Sequence, residues 1–137
     1  MDNMSANYSE SVDSIEAAYE YFLAFAAQGD RGDSSAAESA RQYLGAMERA
    51  LASLPGAARQ IVDEAGLSSW DPETTAGLVR RLSEDAASAH ALVAFAARSP
   101  RISSKIVDSL IASHHLRALL TTVYLLDAVM DEESVSR

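Results

Sequence analysis

Apolar residues in this chain return every three or four positions, and nowhere do they alternate with polar ones for the length of a strand. A period near 3.6 lays such residues on one stripe of a helix, whereas a half-buried strand needs a period of two. The residue types agree with the spacing. Alanine and serine are abundant, and the β-branched residues that favour strands are sparse. With 137 residues, 48% of them apolar, the chain is expected to fold as one helical domain with a sizeable core.

The pattern predicts five helices, at about 12–28, 35–54, 56–66, 72–98 and 103–131. The first carries the stripe Ile15, Tyr19, Phe22, Leu23 and Ala26, with Gly29 placed to close it. The second opens on Ser35 with Glu38 three residues on, a capping box, and presents Tyr43, Leu44, Met47, Leu51 and Leu54. Pro55 separates it from a short third helix that ends at Gly66, with Leu67 as the apolar cover of that end. Asp71 and Pro72 then stand as N-cap and first residue of the fourth helix, whose face runs Thr75, Leu78, Val79, Leu82, Ala86, Ala89, Val93 and Ala96. Ser99-Pro100 breaks the chain before the fifth. The expected fold is all-α, a four-helix-bundle-like domain over 12–131 with a short extra helix, flanked by a flexible segment 1–11 and a flexible acidic tail 132–137.

The helices at 12–28 and 103–131 are apolar on more than one side. Either they lie centrally in the bundle, or one shows its second face to another copy. The second alternative makes the chain a homodimer, with Tyr21, Phe25, Arg117, Tyr124 and Asp127 as interface candidates. Arg117 and Asp127 stand ten residues apart in apolar surroundings, where an ion pair across a dimer or snorkelling to solvent would satisfy them.

The net charge of −9 repels phosphate backbones and anionic lipid, so neither nucleic acid nor a membrane surface is an expected partner. The longest uncharged apolar stretches, 86–97 and 118–126, fall short of the roughly 18 residues a spanning helix needs. The start carries acidic residues where a secretion signal would carry basic ones. Cysteine is absent, which removes disulfides, thiolate metal sites and thiol nucleophiles, and fits a cytoplasmic setting.

Three groups could carry chemistry. His90, His114 and His115 are the histidines; His114 lies on the stripe Val107, Ile111, His114, Ala118, Thr121, Leu125 and so points toward the core or an interface. His90 could face His114 or His115 across an antiparallel pair of helices, giving a small-ligand or metal site. The Glu-x-x-His pairs of a di-iron bundle and the His-Glu-x-x-His of a zinc protease are both missing. A basic corner, Arg98, Arg101 and Lys105 with Ser103 and Ser104, lies between a helix C-terminus and the next N-terminus, where it could hold an anion or an acidic partner. Its bland counterpart is dipole complementation by Arg98 and capping by Ser103 or Ser104.

The run from Gln60 to Ser69 resembles the first helix and turn of bacterial helix-turn-helix domains, with the segment 75–82 in the place of a recognition helix. That resemblance implies DNA binding through residues 57–82. The local charge opposes it, since Arg59, Arg80 and Arg81 stand against Asp63, Glu64, Asp71, Glu73, Glu84 and Asp85. Neither a glycine-rich phosphate loop nor a Gly-x-Ser-x-Gly elbow is present. The expectation is therefore a cytosolic interaction or regulatory protein without enzymatic activity or cofactor, working as a homodimer and open to a further protein partner. A ligand-binding bundle built on the histidines is the alternative, and DNA binding the third reading.

Overall fold

The computed structural model describes residues 2–28 and 34–136, with side chains described over 7–28 and 36–132. Within them the chain is all-helical: α1 (Asp2–Gln28), α2 (Ser34–Glu64), α3 (Leu67–Trp70), α4 (Pro72–Ala97), α5 (Ser104–Ile111) and α6 (His114–Ser136). Four long helices, α1, α2, α4 and α6, form an up-down-up-down bundle. The single-turn α3 and the two-turn α5 lie in the connections. Cross-helix bonds fix the directions: Ser11 meets Ser53 across α1 and α2, Arg98 meets Glu48 across α4 and α2, and Tyr8 meets Asp127 across α1 and α6. Around the bundle α1 packs on α2, α2 on α4 and α4 on α6, while α5 lies against α1. Among the described residues no helix is long and apolar enough to cross a membrane.

Two internal boundaries differ from the sequence expectation, each for a packing reason. Residues expected as two helices, 35–54 and 56–66, form the single α2, with Pro55 inside it. Proline costs a helix interior one hydrogen bond and roughly 3 kcal/mol. The apolar stripe Leu44, Met47, Leu51, Leu54, Ala58 and Val62 nevertheless keeps its phase straight through Pro55, and every member is buried. Burial at roughly 1.5–3 kcal/mol for each large side chain outweighs one proline.

The helix expected at 103–131 is instead broken. α5 ends at Ile111, and Ser113 starts α6 by accepting a hydrogen bond from the Leu116 N–H at 3.4 Å. On a continuous helix Leu110 and Leu116 would point about 120° apart. The break lets both be buried, Leu110 with Val107 on α5, and Leu116 with Leu119, Leu120, Val123 and Leu126 on α6.

The ends also differ. α1 starts at Asp2 rather than Val12, and Tyr8 and Ser11 within the segment expected as a flexible lead are buried. α6 continues to Ser136 through the segment expected as a tail. Gly29 and the Ser35 side chain of the expected capping box lie outside the described residues. The other punctuation stands as read. Gly66 turns left-handed at φ 78° to close α2, Leu67 is buried beneath it, and Asp71 accepts from the Thr74 N–H at 3.2 Å to cap α4.

Candidate functional site

The basic corner is used internally. Arg98 makes a two-pronged pair with Glu48 of α2, at 2.9 and 3.1 Å, and this guanidinium holds the Glu48 carboxyl below its ordinary range. Ser103 caps α5 by accepting from the Ile106 N–H, and Ser99 donates to the Arg101 carbonyl. Arg101 and Lys105 are exposed. Ser104 opens α5 behind the Ser103 cap. Arg41 of α2 reaches across to the end of α4 and donates to the carbonyls of Ala97 at 2.8 Å, Ser99 at 2.9 Å and Pro100 at 3.4 Å. It supplies the free carbonyls of a helix C-terminus with a cation. Its distance of 56 residues from Ala97 gave no local signal of that role.

The three histidines do not converge. His90 lies on the α2 side of α4, within electrostatic reach of Glu48. His115 is half-buried with its Nδ1 3.4 Å from Asp85 Oδ1, and His114 packs against it with the ring centroids 4.1 Å apart and the planes tilted by 37°. His114 is exposed, against the expectation of an inward direction; the break before α6 ends the stripe that predicted it. Asp85 is only 4% exposed, beside an otherwise apolar face of α4. Arg81 Nε lies 3.7 Å from its Oδ2, which has no hydrogen bond. Among the described residues no group of three or more histidine, aspartate or glutamate side chains could hold a metal ion.

The helix-turn-helix segment belongs to the bundle. The one-turn α3 stands between the two candidate helices, and Val79 and Leu82 of the would-be recognition helix are buried in the core. Arg81 is engaged with Glu84 at 3.6 Å and with Asp85.

The interface candidates divide into two sets. Tyr21 stacks on Tyr43 of α2 at 4.2 Å, packs against Phe25 and donates its hydroxyl to the Ala36 carbonyl. Tyr21 therefore ties α1 to α2, and Phe25 is partly buried beside it. Asp127 accepts from the Tyr8 hydroxyl at 3.0 Å. Burial raises the Asp127 pKa against that hydrogen bond, and burial followed by the Asp127 charge raises that of Tyr8. Asp127 is thus hydrogen-bonded within the chain, by Tyr8 rather than Arg117.

Arg117 and Tyr124 remain at the surface, on opposite turns of a groove of about 270 Å³ between α1 and α6. Glu16, Tyr19 and Glu20 form its α1 wall; Arg117, Leu120, Thr121 and Tyr124 form its α6 wall. Burial, with a hydrogen bond to Glu16 second, pushes the Tyr124 phenol up to about 12. Along α6 the exposed residues from His114 to Ala128 are His114, Arg117, Thr121, Tyr124, Leu125 and Ala128, with Leu125 56% open to solvent. Trp70 and Phe95 are more open still, at 72% and 83%, on α3 and α4.

Comparison with known proteins finds no matching protein family, no matching characterised protein and no matching solved structure.

Proposed function

We propose that this protein is a non-enzymatic helical interaction module of the cytosol, which acts as a homodimer through α1 and α6. The observation that carries this reading is the exposed face of α6 between His114 and Ala128. It holds one charge, Arg117, on a chain of net charge −9, and it includes Tyr124 and Leu125. Charge depletion with aromatic and arginine residues is the composition of an interface core. Among the described residues no group of three histidine, aspartate or glutamate side chains could hold a metal ion, which counts against a metal site built on all three histidines.

Light scattering on a size-exclusion column tests the reading, with twice the chain mass of 14.6 kDa expected. Leu125→Glu places a charge on the proposed face at an exposed position. It is expected to give a folded monomer with an unchanged unfolding midpoint. A wild-type monomer at the highest soluble concentration would remove the reading.

A further inference from the structure

We infer that the groove between α1 and α6 is the pairing seam of two copies, in which Arg117 of each copy faces Glu20 of the other. This rests on the homodimer reading and names the contact that sets its register.

The seam is the open side of the bundle. α1–α2, α2–α4 and α4–α6 pack closely along their helices, whereas α1 and α6 meet mainly through long side chains such as Tyr8 with Asp127 and Tyr124 with Glu16. Charge then restricts what can lie on it. Among the described residues Arg117 is the only lysine or arginine of α1 and α6, against Glu10, Asp13, Glu16, Glu20, Asp127, Asp131 and Glu132. A second copy that laid α1 on α1 would set like charges together, which is strongly unfavourable. An arrangement that crosses α6 onto the other α1 brings the single cation onto an acidic wall.

The groove is self-complementary in this sense. Glu20 and Arg117 line it from opposite walls, yet they form no ion pair within the chain, and the Arg117 guanidinium has no hydrogen bond there. A two-fold axis through the groove places each Arg117 opposite the other copy's Glu20, so one cation per chain makes two equivalent contacts. Thr121 and Tyr124, one and two turns along α6, line the same groove and would be covered with it.

A reciprocal charge swap tests the pairing. Arg117→Glu and Glu20→Arg, each alone, set like charges opposite one another twice and are expected to weaken self-association by about a hundredfold or more. Mixed one to one, the two variants restore opposite charges at both contacts and should recover a dimer of one chain of each kind, seen by native mass spectrometry. Both side chains are exposed, and unfolding midpoints close to wild type confirm that the variants fold. A wild-type dimer that both single variants retain, or a mixture that stays monomeric, overturns the pairing while the homodimer stands. A wild-type chain that stays monomeric overturns both and leaves the groove to a partner other than a second copy.

Discussion

Arg41 holds three backbone carbonyls at the end of α4 with one guanidinium, and it does so from another helix. Its fork geometry is what allows this; a lysine ammonium is a point charge and cannot span the same oxygens. Arg41→Ala is expected to destabilise the fold by about 2 kcal/mol, given that hydrogen bonds from charged groups contribute roughly 1.5–3 kcal/mol and this one is partly solvated. Arg41→Lys should recover less than half of that loss. Urea unfolding of the three proteins measures both effects, and equal midpoints would show that water replaces Arg41 at no cost. Asp85 is the opposite kind of residue. Its buried oxygen lacks a hydrogen bond, and His115 and Arg81 compensate it only at 3.4 and 3.7 Å.

At the scale of elements, the two internal departures from the sequence expectation run in opposite directions. Proline failed to end α2 because the stripe on either side of it shares one phase. A serine sufficed to end α5 because the stripes on either side do not. Local breakers therefore act only where the core permits it. Removing the proline exposes its residual cost. Pro55→Ala restores a backbone donor to the middle of α2, while freeing the unfolded chain by roughly 0.4–1 kcal/mol of entropy. The net expectation is a gain of about 2 kcal/mol, read as a higher thermal midpoint. A loss would mean that the ring's own packing at this half-buried position outweighs the missing bond.

For the molecule as a whole, the α1–α6 side is closed at one end by a phenol on a carboxylate, and that gives the fold an alkaline limit. The Tyr8 pKa is raised from its ordinary value of 10.0, and that of Tyr124 is raised to about 12. A group whose folded pKa is raised holds its proton more tightly in the folded state. Its contribution is fully present below the unfolded value and is lost as pH climbs through the folded one. The contribution of these two phenols should therefore be level below about pH 9 and fall above pH 10. Tyr8→Phe is expected to lower stability at neutral pH, where Asp127 loses its donor, and to flatten the alkaline fall. Denaturation at a series of pH values separates the two effects. A mutant curve merely displaced downward, with its slope unchanged, would assign the alkaline limit to other groups.

Helical class, the turn at Gly66, the Asp71 cap and the inward faces of α2 and α4 were legible in the sequence, because each depends on residues within a few positions of one another. The four-helix bundle followed from the four long helices the pattern predicts. The candidate surface was half legible. Excess apolar character pointed to α1 and α6, but only tertiary structure set Tyr21 on Tyr43, with Phe25 packed beside Tyr21, and left Arg117, Tyr124 and Leu125 outside. The histidine group dissolved for the same reason: a helix break of two residues turns every later side chain to a new direction. Composition and spacing determined what the elements are. Which polar groups meet across 56 or 119 residues, as Arg41 with Ala97 and Tyr8 with Asp127 do, was decided by packing alone, since no short-range pattern encodes a contact between distant turns.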